Sequence, residues 1–180
     1  NSNTSFYNGT HPNIGSDIEE AGLCNGKLYV VKVDGFAQER VNSTTINNPP
    51  APGTHFDLVD IGSVLGLSGA AVETATVTAG GTNFSRVEDG AWDPSNYSDF
   101  YFATTDQIDL VTDGTGTQIG RSRLWRLSFT DINNPELGGT IEAVLDGTEG
   151  QNMMDNLTMD RSGHIVIGED VGNNAHNGKI

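Results

Sequence analysis

Cysteine and basic residues are what this chain has least of. Cys24 is the only cysteine among 180 residues, so no intramolecular disulfide framework exists, and cysteine usage leaves the redox compartment open. Lys and Arg together number 9 against 24 Asp and Glu, a formal net charge of −15. Such a surface repels the phosphates of nucleic acid and the headgroups of an anionic membrane, which excludes both as expected partners. No run reaches the ~18 apolar residues of a membrane span, so no membrane insertion is expected. Charged residues are only 18% and hydrophobic residues 35% of the chain. The Ala, Leu, Glu and Lys that build coiled coils and helical bundles are scarce, and 23 glycines with abundant Asn, Thr and Ser take their place.

What remains is strand and turn chemistry. Residues 1–26 are polar and Gly-rich and read as loop. Lys27 to Val33 is β-branched and aromatic and runs into Asp34-Gly35, the signature of a strand ending in a turn. The prolines of Asn47-Asn48-Pro49-Pro50-Ala51-Pro52-Gly53 remove backbone donors and place that segment on the surface. Alternating apolar and polar residues predict strands over Phe56 to Ile61 and Val72 to Thr78. Further strands are predicted at Phe100 to Thr105, Arg123 to Phe129, Thr140 to Asp146 and His164 to Gly168. In Arg123 to Phe129, Trp125, Leu127 and Phe129 share one face and Leu124, Arg126 and Ser128 the other. Thr112 to Gly116 is a turn. About seven short strands with no convincing amphipathic helix make an all-β, antiparallel domain.

A weak internal repeat separates a propeller from a sandwich. Glu88-Asp89-Gly90-Ala91-Trp92-Asp93, a turn and the strand from Phe100 to Asp106 form one unit. Asp155-Asn156-Leu157-Thr158-Met159-Asp160, the turn Arg161-Ser162-Gly163 and the strand from His164 to Asp170 form the other. The offset of roughly 67 residues suits a propeller blade with an insertion. The expected architecture is therefore a β-propeller, with about three blades in this chain. Residues 1–180 would be part of a single propeller domain that continues beyond both ends.

The repeat places Glu88 and Asp155 where strands begin, and Asp106, Glu169 and Asp170 where strands end. Equivalent ends of successive blades converge on a central channel, where uncompensated carboxylates repel one another and a hard cation relieves the repulsion. Oxygen donors of this kind are what Ca²⁺ takes, 6–8 at a time. The alternative is that these acids are solvated surface, and Asp93, Asp146 and Asp160 read as turn formers only. Arg86, two residues before Glu88, would share a strand face with it. It is either a bidentate clamp for a phosphate oxygen or one half of a surface ion pair. The histidines show no ligand spacing, and no nucleophile elbow, zincin motif, phosphate-binding loop, EF-hand or Cys pair is present.

Phe84-Ser85-Arg86-Val87-Glu88-Asp89-Gly90-Ala91-Trp92-Asp93-Pro94, followed by Phe100 to Thr105, resembles the PhoX-type alkaline phosphatases and their bacterial relatives. So do Arg123 to Leu127, Asn134 to Glu142, Asp155 to Thr158 and Gly168-Glu169-Asp170-Val171-Gly172-Asn173. The likeness runs from about residue 54 to the end. It implies a six-bladed propeller in the complete protein, exported to the periplasm or the extracellular space. It also implies hydrolysis of phosphate monoesters, small phosphorylated substrates, with the help of Ca²⁺ and Fe³⁺. By motif, Glu88 resembles a metal ligand, Arg86 a phosphate-contacting side chain, Glu169 and Asp170 ligands from a following blade, and Asp155 a further ligand. The family's iron site uses a cysteine, and the residues flanking Cys24 match no such motif. Two other readings remain: a calcium-stabilised extracellular propeller scaffold without catalysis, and a relative acting on phytate or phosphodiesters.

Overall fold

The computed structural model describes residues 3–11, 15–22, 24–42, 45–105, 122–170 and 180. Nine strands are present among them: β1 (Ser5–Asn8), β2 (Lys27–Val33), β3 (Thr54–Asp60), β4 (Val87–Asp93), β5 (Asn96–Thr104), β6 (Arg123–Phe129), β7 (Gly139–Leu145), β8 (Met154–Met159) and β9 (Ile165–Glu169). A seven-stranded antiparallel sheet has the order β1-β2-β3-β7-β6-β5-β4, and β8-β9 form a separate hairpin. The all-β, antiparallel expectation holds, and the architecture is that of a β-propeller. Its meander β4-β5-β6-β7 is the four-stranded unit from which propeller blades are made.

The large sheet is strongly curled. Laid flat, seven strands would hold the two edge strands roughly 29 Å apart. Instead Phe6 of β1 and Trp92 of β4 have ring centroids 6.0 Å apart, and Phe6 also meets Phe100 and Phe129 edge-on. An aromatic seam therefore joins the edges. The enclosed face carries Val31, Phe56, Phe84, Trp125, Leu127 and Ile141, all at most 1% exposed. Trp125, Leu127 and Phe129 point to this core as their alternation requires.

The other face of β5 explains why Phe100 to Ala103 reads as an unbroken apolar run. Tyr101, Ala103 and Leu124 pack against Met154 and Leu157 of the β8–β9 hairpin. Both faces are buried here, so alternation of polarity disappears. The hairpin thus docks on the sheet near β4 and β5, next to the start of β4.

Two local expectations are corrected. Residues 69–78 form a helix, α2 (Gly69–Thr78), where a strand over Val72 to Thr78 was expected. Ser68 caps it by accepting from Ala71 N. The threonines that mimic strand chemistry return their hydroxyls to the helix: Thr74, Thr76 and Thr78 donate to the carbonyls of Ala70, Val72 and Thr74 at 2.9, 3.0 and 2.8 Å. Only Thr76 of the helix is buried, so no apolar stripe announces it in the sequence. The segment 1–26 is also more structured than its composition predicts, with β1 and a single helical turn, α1 (Asp17–Glu20), capped by a Ser16–Glu19 box. The predicted turn at Thr112 to Gly116 lies outside the described residues. Among the described residues no helix is long and apolar enough to cross a membrane.

Candidate functional site

The sequence repeat is visible as repeated backbone geometry. Arg86, just before β4, has φ 57°, and Met153, just before β8, has φ 47°. These are the only non-glycine residues with positive φ among those described, and they occupy equivalent repeat positions. Each carbonyl is then bound from the partner strand: Thr105 N donates to Arg86 O at 3.0 Å, and Asp170 N to Met153 O at 2.8 Å. Each strand also begins with the same irregularity, between Val87 and Gly90 in β4 and between Met154 and Leu157 in β8. A left-handed residue and a bulge of this kind re-aim the side chains that follow. In both copies that side chain is a carboxylate, Glu88 or Asp155. Gly90 ends the first bulge because a Cβ there would lie 2.6 Å from Phe100 Cζ and 2.7 Å from Tyr101 O.

The register refines the repeat. Val87 pairs with Thr104 and Met154 with Glu169, so Glu169-Asp170 correspond to Thr104-Thr105. Asp106, to which they were matched by sequence, lies outside the described residues, as do Val171 to Asn173 and His176.

Docking of the hairpin brings the two bulges together. Arg86 Nη2 lies 3.7 Å from Glu88 Oε1, with both side chains about a third exposed. The expected pairing exists, although Arg86 precedes the strand and reaches Glu88 through its left-handed turn instead of through strand alternation. Glu88 also feels the charges of Asp155 and Asp170 across the joint. Its carboxyl is pushed above the ordinary range by burial first and then by the charge of Asp155, with Asp170 adding to the shift and Arg86 opposing it. Of the five residues singled out from the sequence, Arg86, Asp155 and Asp170 therefore all act on a fourth, Glu88.

Glu169 is placed differently. It lies on the side of β9 that carries Ile165 and Ile167, and its Oε1 accepts from Asn152 N at 2.7 Å. It lines a cavity of about 310 Å³ with Glu149, Gln151 and Met154. Asp89 was not singled out, yet its Oδ2 accepts from Leu157 N at 3.0 Å and ties β4 to the hairpin. Its repeat counterpart is Asn156, and that correspondence was the available signal.

The three acids assigned to turns do that work. Asp93 Oδ1 accepts from Ser95 N at 2.7 Å, Asp146 Oδ1 from Thr148 N at 2.9 Å and Asp160 Oδ1 from Ser162 N at 2.7 Å. His164 precedes β9 and sits 2.8 Å from Asp160 Oδ2 across the turn. A second gathering, Asp34, His55 and Asp57, escaped the sequence because its members come together across the β2–β3 ladder. All three are exposed, and His55 Nδ1 lies 3.6 Å from Asp34 Oδ2 and 3.9 Å from Asp57 Oδ1. Cys24 is exposed and precedes β2, which by register begins at the end of the sheet away from the start of β4.

Three carboxylates, with Glu88 and Asp155 half-buried and Asp170 exposed, face one guanidinium, so the joint is short of positive charge. Its acidic donors are carboxylate oxygens, the kind a hard divalent cation takes, but Glu88, Asp155 and Asp170 do not bring three ligand atoms within 4.8 Å of one another as Asp34, His55 and Asp57 do. The joint does not offer the thiolate that the iron expectation needed.

No protein-family model matches the chain, and no curated protein matches it. Among solved structures it is similar to Pseudomonas fluorescens PhoX in complex with vanadate, a transition state analogue, with a TM-score of 0.55 and 14% identity. The fold is PhoX-like. The match covers 93% of this chain and 36% of that one, so the chain spans about a third of the length of that PhoX. At this identity the likeness carries the fold and leaves the chemistry to the residues.

Proposed function

We propose that this chain is part of a secreted, PhoX-related phosphatase that hydrolyses phosphate monoesters with the help of carboxylate-bound Ca²⁺. The complete enzyme would be a six-bladed propeller. The observation that carries the reading is the approach of Arg86 to Glu88, which also feels Asp155 and Asp170 at the joint between β4 and the hairpin. A purely structural calcium site gains nothing from a guanidinium beside its ligands, and this favours catalysis over the scaffold reading.

Glu88 and Asp155 would hold the ion from two sheets, with Asp170 closing the site from the end of β9. Bound there, Ca²⁺ would neutralise the acids, admit a dianionic phosphate and stabilise charge developing on its oxygens. Arg86 would orient the phosphoryl group through a planar, charge-assisted fork. Its left-handed backbone fixes where that fork starts. The curled sheet behind β4 holds Glu88 and Arg86 on a rigid element. Iron stays outside the proposal for the described residues, since Cys24 lies toward the other end of the sheet.

Elemental analysis of protein isolated without chelator, coupled to hydrolysis of an aryl phosphate, tests this. Calcium that survives dialysis together with phosphomonoesterase activity is the expected result. Protein without bound metal or hydrolysis would reduce the acids to surface. Calcium without hydrolysis would support the scaffold, and activity confined to diesters or phytate would move the substrate class.

A further inference from the structure

We propose that Glu39, a buried carboxylate outside the site, is the positioning residue for Arg86. This rests on the reading of Arg86 as the phosphate-contacting group. The Glu39 side chain is fully buried, in the segment between β2 and β3. Its Oε2 accepts from Ser85 N at 2.8 Å, one residue before Arg86. Its Oε1 accepts from Thr104 Oγ1 at 3.0 Å, one residue before the Thr105 that binds the Arg86 carbonyl. One carboxylate thus grips both chain segments that enclose the left-handed turn of Arg86.

The grip is itself fixed. Arg123, 4% exposed, lies 3.4 Å from Glu39 Oε1. Its Nε and Nη2 donate to the carbonyls of Asp146 and Asn47 at 2.8 and 2.7 Å, and it rests over the Trp125 ring. Trp125 Nε1 donates to Thr104 Oγ1 at 3.1 Å, and Glu39 N to Asn83 O at 2.8 Å. A left-handed Arg is unfavourable by itself and persists only where the surroundings over-determine it. Here two hydrogen bonds to a single charged group supply that constraint, and a charge is held in the core to do it. The carboxylate acts through Arg86 and touches no substrate.

The test is a double-mutant cycle in the full-length protein with Glu39→Gln, Arg86→Ala and the pair, read by KM and kcat for an aryl phosphate and by orthophosphate affinity. Near-ultraviolet circular dichroism of the packed tryptophans checks the fold. Gln keeps one acceptor of two, so Glu39→Gln should weaken orthophosphate binding about tenfold or more, with KM rising before kcat falls. In the Arg86→Ala background the same substitution should change binding little. Losses that multiply, or unchanged phosphate affinity in a folded Glu39→Gln, would overturn the inference. If Glu39→Gln does not fold, Thr104→Val removes one of the two holding bonds and should weaken phosphate in the same direction; unchanged affinity there overturns it equally. A wild type that neither binds nor hydrolyses phosphate fails at the first measurement, which marks the failure as that of the phosphatase reading.

Discussion

Glu88 and Asp155 stand on strands of two different sheets, and the charge of Asp155 helps to hold the Glu88 carboxyl above its ordinary range. Like charge beside a partly buried carboxylate is relieved by a proton on that carboxylate or by a cation. In the metal-free protein Glu88 should therefore contribute a pH dependence opposite in sign to that of the lowered carboxylates such as Asp93 and Asp160, visible as the difference between wild type and Glu88→Gln. Glu88 binds its proton more tightly folded than unfolded, because its folded pKa lies above the ordinary 4.5. Between those two values the native state carries the extra proton, so this group's contribution to stability falls as pH rises through the window. Ca²⁺ binds the ionised form and should flatten or reverse the fall. Thermal unfolding from acid to neutral pH, with chelator and with excess Ca²⁺, reads this directly. Superimposable curves would remove the cation from the joint.

Glu88→Gln keeps size and polarity but cannot supply the charge. In the full-length protein it should lower phosphomonoester turnover by about a hundredfold or more. It should also abolish the Ca²⁺-dependent shift in melting temperature. Wild-type turnover in that variant would take Glu88 out of the site.

Arg86→Lys preserves charge and loses the planar fork. Because the Arg86–Glu88 pair is partly solvated at 3.7 Å, its loss should change stability by less than about 1 kcal/mol. KM for a phosphate monoester should nevertheless rise about tenfold, since a point charge does not reproduce bidentate contact. Unaltered KM would make the pair a surface ion bridge.

Much of this site was legible because its residues are close in sequence and repeat. Arg86 and Glu88 are two positions apart, and Asp155 follows at the repeat offset. The register made Glu169-Asp170 the counterparts of Thr104-Thr105, a correspondence that only strand pairing reveals. Glu39 was invisible for a different reason. Its partners Ser85, Thr104 and Arg123 come from three other places in the chain, and no local pattern marks a charge destined for the core. The strands β2 and β6 stood out through β-branched and aromatic content. Helix α2 did not, because Thr and Val alternate as they would in a strand while the hydroxyls satisfy themselves within the helix.

Tyr29 offers a test of the opposite end of the sheet. Its buried phenol donates to Glu136 beside β7, and burial, then the Glu136 bond and charge, push its pKa from 10.0 up to about 12. The native state keeps this proton where the unfolded chain has lost it, so stability should fall as pH rises through that interval. Tyr29→Phe should erase that alkaline slope and cost about 1 kcal/mol at neutral pH. Unfolding in denaturant at neutral and strongly alkaline pH measures both.

The strand order has a consequence for synthesis. β3 finds its second neighbour only in β7, and β1 reaches its seam with β4 only once the sheet has curled. A nascent chain therefore carries the meander β1-β2-β3 with an open edge until β7 has left the ribosome. Exposed edges of that kind invite pairing between chains, and non-local closures of this sort are slow. Delivery in an unfolded, chaperone-held form would suit this topology better than folding as the chain emerges.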